Sequence, residues 1–166
     1  LEGPNRGRGV ATGFWINGAG PACATANVNF DGTVDLTIGS MDIGGSRPAS
    51  AQQFAEVLGI SAEDVDPQVG DTHAIGYTSM TGGSGVAFKT GWACYEAAQD
   101  VKQQMIERAA KVWEISSDQV EMADGVFKHL SDPELRMTFK ELAGILSSTG
   151  GPVVGSANLS PSGAGS

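Results

Sequence analysis

Basic charge is scarce in this chain. Over 166 residues, 10 Lys and Arg stand against 19 Asp and Glu, a formal net charge of −9. There is no Lys/Arg run, and Arg6 and Arg8 form the one close basic pair. Binding a polyphosphate backbone or an anionic membrane needs a basic patch, so neither nucleic acid nor a membrane is expected as a partner. Long apolar runs are missing too: nothing approaches the roughly 20 residues that span a bilayer, and no signal-peptide pattern is present. Cysteine is nearly absent. Cys23 and Cys94 lie far apart without a CxxC, so they are expected to be buried reduced thiols of a cytoplasmic protein. Two thiols are too few to ligate an iron–sulfur cluster. His73 and His129 are isolated, and neither has the spacing of a metal ligand, so no metal site is expected. Asp71, ending a strand beside His73, is expected to cap a loop.

What the chain has instead is glycine, 24 residues against 7 prolines. That excess points to turns and close backbone approaches. Two Gly-Gly-Ser loops each run into an expected helix start: Gly44-Gly45-Ser46 before Arg47-Pro48, and Gly82-Gly83-Ser84 before Gly85-Val86. A helix start carries free N–H groups and the positive end of a dipole, and glycine lets a ligand approach the backbone. Together they can hold phosphate or another anion. Thr81 to Val86 is the strongest such segment, with Ser84 adding a hydroxyl and Arg47 a possible charge at the first loop. Gly82 to Val86 misses the nucleophile elbow at its last position. Gly7-Arg8-Gly9 and Gly18-Ala19-Gly20 are not a dinucleotide fingerprint. Trp15, Trp92 and Trp113 are read as core or interface aromatics.

The periodicity predicts an α+β fold: antiparallel hairpins forming a mixed sheet, with two or three helices packed on it. Ala24, Ala26 and Val28 alternate with polar residues, as do Val34, Leu36 and Ile38. A three-residue loop, Phe30-Asp31-Gly32, makes the two apolar faces coincide, which requires a type I turn plus a bulge with Gly32 left-handed. An earlier strand over about Gly9 to Asn17 is expected in the same sheet. Helices are expected over Pro48–Leu58 (capped by Ser46, ended by Gly59), Val86–Trp113 and Thr138–Leu146 (capped by Thr138 with Glu141). The long helix carries the stripe Cys94, Ala98, Val101, Met105, Ala109 and Val112, with Gly91 kept for close packing.

Ile60-Ser61-Ala62-Glu63-Asp64-Val65-Asp66 recurs 55 positions later as Ile115-Ser116-Ser117-Asp118-Gln119-Val120-Glu121. Each copy predicts a helix, a single turn and a strand. A turn at Asp124-Gly125 and a strand from Val126 to Leu130 follow. The domain is expected over 7–149. Residues 150–166 form an extended or disordered tail, with a short extended piece at Pro152-Val153-Val154. Leu1 at the start and the Gly/Ser/Pro-rich end both read as cut, so the chain is expected to be a fragment of a larger subunit.

Taken in order, several segments resemble the large molybdenum subunit of the xanthine dehydrogenase/aldehyde oxidase family, the molybdenum hydroxylases. They are Asp31-Gly32-Thr33-Val34, Gly39-Ser40-Met41-Asp42-Ile43-Gly44, Ala55-Glu56-Val57-Leu58-Gly59-Ile60, Val69-Gly70-Asp71-Thr72, Gly82-Gly83-Ser84, and Thr90-Gly91 with Glu96-Ala97-Ala98. The resemblance implies part of a molybdopterin-binding domain of an oxidoreductase. Gly82, Gly83 and Ser84 would lie against the molybdopterin cofactor. The other loop usually reads Gly-Gln-Gly and here reads Gly44-Gly45-Ser46, so Gly44 and Gly45 stand where that contact is made. The family's catalytic Glu sits in a Gly-x-Gly-Glu motif that this sequence does not contain, so no catalytic residue is expected here and the isolated chain is expected to be inactive. Iron–sulfur centres and FAD would lie on other domains or subunits, and the fragment is expected to self-associate through the face those partners cover. The reading from a different class is a stand-alone anion- or nucleotide-binding module without catalysis.

Overall fold

The computed structural model describes residues 3–161. The apolar alternation does form a hairpin. β1 (Ala22–Val28) and β2 (Val34–Ile38) pair antiparallel, with Val28 opposite Val34 and Ala26 opposite Leu36. The turn has the predicted shape. The Gly32 amide donates to Asn29 at 3.0 Å, the Asn29 amide donates to Thr33 at 2.9 Å, and Gly32 sits at φ +88. Asp31 secures the turn by accepting from the Thr33 amide at 3.0 Å.

α1 (Ser46–Leu58) carries the chain to β3 (Val65–Val69), which lies parallel to β2. Pro67 within β3 lacks an N–H, which is tolerable because β3 is an edge strand. α2 (Val86–Trp113) packs beside α1, and both helices lie on the sheet. The face they cover holds Ala24, Ala26, Val28, Val34, Leu36 and Ile38 from the hairpin, with Phe54, Leu58, Cys94, Ala98, Val101 and Met105 from the helices. Burying each of the large side chains contributes about 2 kcal/mol. The alanines keep the layers close. At Gly91 a Cβ would meet Gln53 Oε1, so any larger residue there displaces the Gln53 side chain that lies across the α1–α2 contact.

The sequence repeat holds at the level of local structure. Each copy gives a single 3-10 turn, Ala62–Asp64 and Ser117–Gln119, followed by a strand. The second strand, β4 (Val120–Ala123), starts a separate antiparallel sheet, β4-β5-β6, with β5 at Val126–His129 and β6 at Arg136–Thr138. Ser61 accepts from the Glu63 amide at 3.3 Å, whereas Ser116 makes no such cap. Thr138 caps α3 (Phe139–Ala143) in a capping box with Glu141. The single helix expected to Leu146 is instead broken at Gly144-Ile145, and α4 (Leu146–Thr149) follows.

Two expectations about the sheet need correcting. Residues 9–17 form no strand and run largely exposed; the strand beside β1 on the side away from β2 is β7 instead. The extended piece at Pro152-Val153-Val154 does not give way to disorder. It continues as β7 (Val154–Leu159), antiparallel to β1 with Gly155 opposite Ala26. The end of the expected tail, residues 162–166, lies outside the described residues. The outer side of β7 is covered by α2: Asp100 accepts from the Ser156 amide at 2.9 Å, and Gln104 donates to the Val154 carbonyl at 2.8 Å.

Candidate functional site

The two Gly-Gly-Ser loops are 38 positions apart in sequence and meet at one end of the sheet. They line a single cavity of about 430 Å³, bounded by Ile43, Gly44, Gly45 and Ser46 on one side and by Thr81, Gly82, Ser84, Gly85, Val86 and Ala87 on the other. Thr81 links the loops by accepting from the Met41 amide at 3.1 Å. In a chain of net charge −9, no carboxylate lines this cavity.

The two helix starts differ in what they offer. Contrary to the sequence expectation, Ser46 does not cap α1. Gly45 occupies the cap position at φ +82, with no side-chain cap. The Ser46 hydroxyl turns back instead, within reach of the Met41 carbonyl and Asp42 Oδ1, and accepts from the Ile43 amide. Asp42 holds the helix start. Its Oδ1 accepts from the Arg47 amide at 3.2 Å and its Oδ2 from Arg47 Nε at 3.1 Å. These hydrogen bonds from Arg47, backbone first, lower the Asp42 pKa below its ordinary value. The Arg47 charge is therefore paired with Asp42 at the surface and is not free for a ligand.

The start of α2 is open by comparison. Its first helical bond runs from the Lys89 amide to the Gly85 carbonyl at 2.8 Å, leaving the amides of Val86 and Ala87 ahead of the ladder and at the cavity wall. Gly83 at φ +61 and Ser84 at φ +55 hold the approach in left-handed conformation, the second without glycine's freedom.

One contributor was missed in sequence. Gly18, which with Gly20 forms no dinucleotide fingerprint, lies against the second loop. Its amide donates to the Gly83 carbonyl at 2.6 Å, and a Cβ on Gly85 would meet the Gly18 carbonyl oxygen at 2.5 Å. The signal was a glycine at the end of an extended run, which spacing alone cannot distinguish from a turn. His73 stays within its own loop: its amide donates to Asp71 Oδ1 at 2.8 Å and its ring Nδ1 lies 3.2 Å from the same oxygen. Among the described residues no group of His, Cys, Asp and Glu could hold a metal ion. Trp113 packs on the core, while Trp15 and Trp92 are exposed.

An open helix start, glycine-built walls and no opposing carboxylate suit a ligand that carries negative charge on a bulky polar body. The family model described as "Molybdopterin cofactor-binding domain" matches residues 2–163, and the chain belongs to that family. The chain is 30% identical over 121 residues to the nicotine 6-hydroxylase large subunit of Paenarthrobacter nicotinovorans, a match covering 72% of this chain and 15% of that protein. Among solved structures, the reconstituted CO dehydrogenase from Oligotropha carboxidovorans superposes with TM-score 0.81 at 27% identity over 89% of this chain. Quinoline 2-oxidoreductase from Pseudomonas putida 86 does so with TM-score 0.73 at 26% identity over 86%. The chain spans about a fifth of those two solved chains, 20% and 19%. It is a molybdopterin-binding segment of the xanthine dehydrogenase type, with the α+β architecture expected from its sequence.

Proposed function

We propose that this chain is one wall of the cofactor site in a molybdenum-dependent oxidoreductase, and that it binds the anionic part of molybdopterin through backbone amides. The observation that carries this reading is the convergence of both glycine loops on one cavity at the open start of α2. Gly82, Gly83 and Ser84 would hold the cofactor from one side, Gly44 and Gly45 from the other. Gly44 and Gly45 have open space where a Cβ would stand, so ligand atoms can come against their backbone. Molybdopterin supplies a redox-active molybdenum when bound. The residues here orient it, shield it from water and neutralise its charge with N–H dipoles. No residue of the chain is assigned a catalytic role, and the isolated chain is inactive on this reading.

The domain runs over 7–149 with β7 added to it, and the remaining domains of the same subunit cover its open face. Iron–sulfur centres and FAD sit on other domains or subunits of a cytoplasmic assembly. Two things support this partnership: the small share of each relative that the chain spans, and the exposure of the large apolar side chains Phe14, Trp15, Tyr77 and Met80. With those partners removed the fragment self-associates. A free-standing anion module is not favoured, because the family match runs almost end to end. The test is metal analysis and pterin fluorescence on the parent subunit. Molybdenum and pterin together are the expected result, and their joint absence would overturn the proposal.

A further inference from the structure

Lys89 is the one lysine buried in the described chain, 2% exposed, and no Asp or Glu pairs with it there. It stands at the fourth position of α2, and its stem runs back toward the helix start, as helical side chains do. All three of its N–H donors are used. Nζ donates to Ser79 Oγ at 2.6 Å, to the Met80 carbonyl at 2.7 Å and to the Ser79 carbonyl at 3.1 Å. A buried ammonium held by neutral acceptors is expensive, and burial lowers its pKa. An apolar side chain of the same length, such as Met, would fill this core position at less cost. The charge therefore has a use that packing alone does not explain. The segment it grips, Ser79-Met80, leads directly into Thr81-Gly82-Gly83-Ser84, the wall of the cavity.

We propose that Lys89 is a positioning residue. Its ammonium pins the 79–80 backbone so that the 81–85 loop and the first amides of α2 face the cavity, and it adds a full positive charge behind that helix start. The ligand half of this inference rests on the reading of the cavity as an anion site; the loop half does not.

Two measurements on the whole chain separate the halves. Amide hydrogen exchange is compared between wild type and Lys89→Met, and inorganic pyrophosphate is titrated by ³¹P NMR. Hydrogen bonds from a charged donor predict about tenfold faster exchange across residues 79–85 in the variant, with β1 and β2 unchanged. Pyrophosphate affinity is expected to fall by a similar factor, about tenfold. Unchanged exchange in 79–85 overturns the proposal whatever the ligand does. Faster exchange with wild-type pyrophosphate affinity also overturns it, reducing Lys89 to a structural staple. Wild-type protein that binds no pyrophosphate removes the anion site and the ligand half with it. Should Lys89→Met fail to fold, Ser79→Ala deletes one acceptor and leaves the charge in place. It must give a smaller change of the same sign in both measurements, and no change overturns the proposal.

Discussion

The carboxylate of Asp42 grips Arg47 twice, through its backbone amide at 3.2 Å and its guanidinium Nε at 3.1 Å. A carboxylate of the chain itself thus occupies the start of α1, while none occupies the start of α2 across the cavity. The first loop therefore carries its own carboxylate at the helix start, and the second does not. Asp42→Ala should release the first turn of α1. The expected outcome is a modest fall in melting temperature with faster exchange at the Arg47 amide, read by circular dichroism and NMR. An unchanged Arg47 amide would mean that the bond does not persist in solution.

Gly155 tests whether β7 belongs to the fold. A Cβ there would meet the Ala97 carbonyl oxygen at 2.5 Å and Val101 Cγ2 at 2.5 Å, so the strand is pressed directly against α2. Gly155→Ala should cost about 1–3 kcal/mol in urea unfolding, the usual price of overpacking. A loosely attached tail would tolerate the change without measurable loss.

Much of the architecture was legible because it is written in local patterns. The parity of Val28 and Val34 set the hairpin loop at three residues. Asp124-Gly125 marked its turn, and helical spacing from Cys94 to Ala109 gave α2 its full span. The failures are non-local. Residues 9–17 alternate well enough for a strand but pair with no strand of the sheet. Val154–Leu159 carries little apolar pattern, and becomes β7 because β1 offers an edge and α2 supplies Asp100 and Gln104. At the site, glycine spacing pointed to the loops. It could not show that they share a cavity, that Asp42 fills one helix start, or that Gly18 and a buried Lys89 brace the other. Those depend on contacts between residues far apart in sequence.

Both thiols are buried and free, and burial pushes the Cys94 thiol up to about 12. The thiolate is the reactive form, so Cys94 should resist a thiol reagent in the native chain at pH 8. Ellman's reagent should find no fast-reacting Cys94 until denaturant is added. Rapid native modification at Cys94, located by mass spectrometry, would contradict the packing of α2 on the sheet.

Acid should loosen α3. Hydrogen bonds from the Thr138 amide and hydroxyl, both at 2.8 Å, lower the Glu141 pKa below its ordinary value. A depressed carboxylate contributes stability above its unfolded pKa and loses it as pH falls through the folded one. The loss therefore lies below about pH 4. Asp31, held by Thr33, is shifted the same way. Glu141→Gln should flatten part of the stability–pH curve in that range while changing its slope little near neutrality. An identical acid slope in the variant would show that the capping box is not the group being titrated.

The central claim is that the opening amides of the 28-residue helix α2 face a negatively charged ligand. Titrating pyrophosphate into ¹⁵N-labelled chain tests it residue by residue. The account predicts saturable shifts at Ser84, Gly85, Val86 and Ala87, with the Arg47 amide still because Asp42 already holds it. Shifts confined to Arg6, Arg8 or Arg47, or none at all at the α2 start, would contradict it.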